Sequence, residues 1–114
     1  MLKPVLKGVA EQANLDPKLV EDICVGNCLQ TGAGHMTGRI GSILAGYPVE
    51  TSSFAVNRLC SSGLQAVMNI ANSIRNRQID IGIGAGVENM STFDMNNQLD
   101  PNLVSPMTFE HPIA

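Results

Sequence analysis

Asn57-Arg58-Leu59-Cys60-Ser61-Ser62-Gly63-Leu64 places a cysteine where a strand turns into a helix. Ser53-Phe54-Ala55-Val56 ahead of it reads as the end of a short buried strand. Ser61 to Arg77 behind it reads as a helix, with apolar Leu64, Val67, Met68, Ala71 and Ile74 spaced by three or four and expected to face the core. Cys60 then lies at or beside the helix N-cap. Unpaired backbone N–H groups and the positive end of the helix dipole gather there and favour a thiolate over a thiol. On position and small neighbours alone, the residue reads equally as an activated nucleophile or as a buried structural thiol.

Working outward, a strand–helix alternation continues in both directions. Leu2 to Leu15 reads as an amphipathic helix through Val5, Leu6, Val9, Ala10 and Ala13. Asp16-Pro17 supplies an N-cap and first helical residue for a short turn running through Val20-Glu21-Asp22. Ile23 to Leu29 reads as a buried strand, Gln30 to Gly34 as a glycine-rich loop, and His35 to Ala45 as a second helix ended by Gly46-Tyr47-Pro48. Gly38 and Gly41 in that helix permit close packing at some cost in helix propensity. Ile79 to Val87 is a further strand, and beyond Glu88 periodicity gives way to Asn96-Asn97, Asp100-Pro101 and Ser105-Pro106 turns. The pattern predicts an α/β fold with a mostly parallel sheet and helices on both faces.

Composition narrows the function. The 114 residues, 44% hydrophobic and 4% aromatic, suffice for one small domain of closely packed layers. A net charge of −3 without a Lys/Arg cluster argues against nucleic-acid or anionic-membrane partners. No apolar run approaches the roughly 20 residues a membrane helix needs. Three cysteines are an odd number, and no signal-peptide pattern opens the chain, so a reducing compartment is expected.

Rival chemistries are weaker. Cys24, Cys28 and His35 invite a zinc site, but three candidates on one strand and loop fall short of a tetrahedral set, so no metal is expected. In an extended strand Cys24 and Cys28 share one face. Gly82-x-Gly84-x-Gly86 hints at a dinucleotide loop, yet its third glycine comes one position early and close backbone packing explains it more simply. His35 and His111 read as polar surface, and the methionines as packing residues.

Four motifs in order give the chain a family resemblance. Val56 to Val67 resembles the nucleophile signature of the thiolases, and Gly84-Ala85-Gly86-Val87-Glu88-Asn89-Met90-Ser91 the strand and loop that follow it. Gly38-Arg39 with Ala45-Gly46-Tyr47-Pro48 is similar to the family's second helix, and Cys24-Val25-Gly26-Asn27 to the strand before it. The wording is closest to eukaryotic 3-ketoacyl-CoA thiolases of the peroxisomal type. The resemblance implies a β-oxidation acyltransferase that cleaves 3-ketoacyl-CoA to acetyl-CoA and a shortened acyl-CoA. Cys60 would be the acyl-accepting nucleophile, with its backbone N–H donating to an oxyanion, and Met90 would line the same pocket. Coenzyme A would be a substrate, with no cofactor. Pairing into a homodimer or tetramer through the strand at 53–56 is implied, as is a peroxisomal location, with mitochondria or cytosol as alternatives.

The departures from the family set further expectations. A complete thiolase is roughly three times this length and built of two similar halves. Its bases lie in Asn-Glu-Ala-Phe and Gly-His-Pro motifs and its second cysteine in Cys-x-Gly, none of which stands here; His111-Pro112 follows Glu110 and inherits no role. Residues 1–91 are therefore expected to form a partial N-terminal thiolase domain, an incomplete half-domain lacking its first strand. Residues 92–114 are expected to begin an inserted loop region. Such a chain would be inactive alone. The alternatives are a non-catalytic truncated isoform or pairing fragment, and a condensing enzyme of the ketoacyl-synthase kind.

Overall fold

The computed structural model describes residues 1–93; the loop region expected from 94 onward, with His111, lies outside the described residues. Three helices and three strands alternate: α1 (Leu2–Gln12), β1 (Asp22–Gly26), α2 (His35–Ala45), β2 (Ser52–Val56), α3 (Ser62–Arg75) and β3 (Gly82–Gly86). The strands form one parallel sheet in the order β2-β1-β3, with Cys24 opposite Phe54 on one side and Gly84 on the other.

That order explains why helices cover both faces. The crossover from β1 to β2 moves one way across the sheet, and the crossover from β2 to β3 moves back past β1. Right-handed connections in opposite directions place their helices on opposite faces. Leu2, Leu6 and Ala10 of α1 accordingly join Ile23 and Val25 of β1, Ala45 and Tyr47 in one core. Cys24, pointing the other way, packs with Ala66 and Ile70 of α3.

Close approach governs both packings. A Cβ on Gly41 would lie 2.8 Å from Leu2 Cδ2, and one on Gly38 3.3 Å from Val25 Cγ2, so these two glycines let α2 settle against α1 and the sheet. On the α3 face, Gly82, Gly84 and Gly86 line β3, and a Cβ on Gly84 would stand 2.6 Å from Val67 Cα. The alternating glycines therefore serve helix–sheet contact and not a dinucleotide.

Six local expectations need correction. The turn after Asp16 spans only Pro17–Leu19, with the Asp16 carboxylate accepting the Lys18 N–H at 3.0 Å; Val20 is already extended. β1 stops at Gly26 instead of Leu29, because Asn27 turns its side chain to the loops above the sheet. β3 begins at Gly82 and not Ile79, and α3 begins at Ser62 and ends at Arg75, with Ser61 as its N-cap. The buried stripe of α3 is Ser62, Ala66 and Ile70, whereas Leu64, Val67, Met68 and Ile74 are 41–65% exposed. With glycine beneath, the helix lies too near the sheet for large side chains to fit between them. In α1, likewise, Val5 and Val9 fall outside the buried stripe.

The long α2–β2 connection is held by Arg39, whose guanidinium donates to the carbonyls of Val49 and Thr51. Tyr47 donates from a buried hydroxyl to the Leu6 carbonyl at 2.7 Å. These bonds fix where β2 enters the sheet, and hence where it delivers Cys60.

Candidate active site

The carboxyl ends of the three strands converge on one cavity. Reversal of strand order around β1 opens a crevice there, the usual ligand position in open α/β sheets. The cavity, of about 430 Å³, is lined by Gly26, Cys28 and Leu29 after β1, by Leu59 to Gly63 less Ser61, and by Gly86 to Met90 less Asn89. Cys60 and Met90, both expected from the sequence, stand on this one wall system.

The turn carrying Cys60 is held from several sides. The Asn57 side chain donates to the Cys28 carbonyl at 2.8 Å and accepts the Leu59 N–H at 2.9 Å, closing a tight turn. Leu59 takes φ of +51°, a left-handed conformation costly for a branched side chain. Ser62 Oγ accepts from the Arg58 N–H at 2.9 Å and donates to the Leu59 carbonyl. Cys60 follows, exposed, one residue ahead of the N-cap. No side chain caps α3; the Ser61 and Ser62 N–H groups donate to the Arg58 and Leu59 carbonyls instead. Gly26 has backbone of Ser62 and Gly63 directly over its α-carbon, leaving no room for a Cβ. The helix start is thus pressed onto the strand ends.

A polar network joins the three strand ends. Buried Asn27 donates to the Val87 carbonyl at 2.6 Å and accepts from the Gln30 N–H at 2.9 Å. The Glu88 carboxylate accepts the N–H groups of Cys28 at 2.8 Å and Leu29 at 3.2 Å. Asn27, Asn57 and Glu88 were given no role of their own from the sequence. Their signal was a polar residue directly after an apolar run, at the point where a parallel strand ends.

The three cysteines are separated by environment. Burial, with a smaller contribution from Asp22, pushes the Cys24 thiol up to about 11 in the α3 core. Cys28 does not share its face: the strand has ended, and it joins Cys60 on the cavity wall. Burial raises the Cys28 thiol first, and the Glu88 carboxylate and Cys60 raise it further. His35 is exposed, with its ring nitrogen 3.2 Å from the Gly32 carbonyl. Among the described residues no three His, Cys, Asp or Glu side chains group to hold a metal ion.

An exposed thiol at a helix start, beside apolar Leu29, Leu59, Val87 and Met90, is suited to accepting an acyl group. Known proteins share this fold. Residues 1–111 match the family model described as the thiolase N-terminal domain. The chain is 46% identical over 108 residues to the peroxisomal 3-ketoacyl-CoA thiolase of Yarrowia lipolytica, covering 95% of this chain and 25% of that protein. It is 48% identical over 97 residues to the human protein of the same description, covering 85% and 23%. Among solved structures it matches the dimeric peroxisomal thiolase of Saccharomyces cerevisiae with a TM-score of 0.78 at 35% identity, over 96% of this chain and 29% of that one. A second structure of the yeast enzyme, described as five-layered and built from two core domains of identical topology, matches with a TM-score of 0.75 at 40% identity, over 86% and 30%. The chain spans about a quarter of the length of the curated relatives it matches. Its fold, its strand-end cavity and its residues 1–111 together show that the chain belongs to the thiolase family.

Proposed function

We propose that this site belongs to an acyltransferase that cleaves 3-ketoacyl-CoA by thiolysis, with Cys60 as the nucleophile. The observation that carries the reading is the placement of Cys60: an exposed thiol at the start of α3, on the lip of an apolar cavity at the strand ends. Sulfur attacks the 3-keto carbon, the bond to the neighbouring carbon breaks, and acetyl-CoA leaves as an enolate that takes up a proton. The acyl group stays on Cys60 as a thioester until a CoA thiol displaces it. The Cys60 backbone N–H and the positive end of α3 would stabilise the oxyanion. Met90 would bound the acyl group, and the reaction needs no cofactor, coenzyme A being a substrate.

Among the described residues no histidine lines the cavity, so the groups that move protons would come from outside them. The 114-residue chain, mixed with acetoacetyl-CoA and CoA, is expected to release no acetyl-CoA catalytically. Turnover that Cys60→Ala abolishes would overturn that part of the reading. Acetyl transfer from acetyl-CoA onto Cys60 tests the nucleophile itself.

Pairing through β2 is supported by its place at the sheet edge, where one row of backbone groups lacks a strand partner among the described residues. The similar yeast structure is described as dimeric. The relatives' descriptions support a peroxisomal location.

A further inference from the structure

The cavity holds a second thiol for which the acyl-transfer chemistry has no use. Cys28 and Cys60 line the same wall, 32 positions apart in sequence (60 − 28), and the Asn57 amide ties the Cys60 turn directly to the Cys28 carbonyl. Cys60 stands near enough to act on the Cys28 thiol, with Glu88 the charged group beside Cys28. Cys24, the third cysteine, is excluded from this wall by its burial under α3.

We propose that Cys28 and Cys60 form a reversible disulfide when a hydroperoxide oxidises the site, so that Cys28 is the resolving thiol for Cys60. Cys60 is the exposed member and meets the oxidant first, while burial and the Glu88 charge disfavour the thiolate at Cys28. Cys60 sulfur attacks the O–O bond; an S–O bond forms, the O–O bond breaks, and the departing oxygen leaves as alcohol or water. Cys28 sulfur then attacks the Cys60 sulfenic acid. The S–S bond forms, the S–O bond breaks, and hydroxide leaves as water with the Cys28 proton. Two thiols and one hydroperoxide thus give one disulfide, one alcohol or water, and one further water. A dithiol reductant restores both thiols.

The bond itself does not depend on the acyl-transfer reading; only its consequence, a masked nucleophile, rests on it. The test treats the purified chain with stoichiometric hydrogen peroxide and digests it with trypsin without reduction. The expected product is a cross-link between peptide 19–39, which carries Cys24 and Cys28, and peptide 59–75, which carries Cys60, with fragmentation placing the bond on Cys28. In Cys28→Ser, treated instead with several equivalents of hydrogen peroxide, Cys60 is expected to end as sulfinic or sulfonic acid that dithiothreitol does not restore. A bond through Cys24, a cross-link between two chains, or a stable Cys60 sulfenic acid in the unaltered chain overturns the proposal. Acetyl transfer from acetyl-CoA, measured on the same preparation, separates the two readings. Transfer without a cross-link defeats only the disulfide, and a cross-link without transfer defeats only the acyl-transfer role.

Discussion

The Glu88 carboxylate accepts the backbone N–H of Cys28 at 2.8 Å, joining the end of β3 to the end of β1 beneath the cavity. Through the same contact a negative charge stands beside the Cys28 thiol and raises it, second only to burial. One residue therefore both closes the polar ring of strand ends and adds to burial in disfavouring the Cys28 thiolate.

Glu88→Gln tests that double role. The amide keeps one acceptor for the Cys28 N–H but removes the charge, so the Cys28 thiol falls toward its ordinary value and more of it is thiolate at mildly alkaline pH. Iodoacetamide labelling of Cys28, read by peptide mass, is expected to quicken several-fold relative to Cys60. An unchanged ratio of the two labelling rates contradicts the assignment.

The glycine-lined contact between α3 and β3 makes an opposed pair of predictions. Gly84→Ala sets a Cβ 2.6 Å from Val67 Cα and 2.8 Å from Val67 N, backbone that moves only if the helix lifts, at a cost of about 3 kcal/mol. Gly8→Ala, within α1 and with nothing in 4 Å of the new carbon, is expected to gain about 0.5–1 kcal/mol. Denaturant melts of both variants decide the matter, and equal effects of the same sign would falsify the close-approach account.

Alkaline instability follows from Cys24. Its thiol moves from 9.0 to about 11 on folding, so between those pH values the unfolded chain gives up its proton first. Stability is fully present below the unfolded value and is lost as pH rises through the folded one, by about 2–3 kcal/mol. Tyr47, also raised by burial, adds to the loss above 10.0. Cys24→Ala weakens the core at every pH but is expected to flatten the fall between 9.0 and 11, as urea melts across that window would show. A slope equal to that of the unaltered chain contradicts the prediction.

The strand–Cys60–helix turn was legible because an apolar run, small residues and a 3.6-residue period meet there, and the parallel α/β order was legible from the same alternation. The orientation of α3 was not. Periodicity finds an apolar stripe, but glycines on another element determine how near the helix comes, and so place Ala66 and Ile70 inward with Leu64 and Met68 outward. Cys28 was misplaced beside Cys24 for a related reason: strand alternation was carried past Asn27, whose side-chain bonds to Val87 and Gln30 end the strand early. Glu88 acts through partners about sixty positions away and Asn57 reaches one about thirty away, and such pairings become visible only once the three strand ends meet.

The central claim is that Cys60 is the sulfur that accepts an acyl group. The direct measurement incubates the 114-residue chain with acetyl-CoA and maps the added mass by peptide. The expected result is one acetyl group on peptide 59–75, removed by hydroxylamine and absent in Cys60→Ala. No acetylation, or acetyl groups on Cys24 or Cys28 while Cys60 stays free in a folded chain, would contradict it.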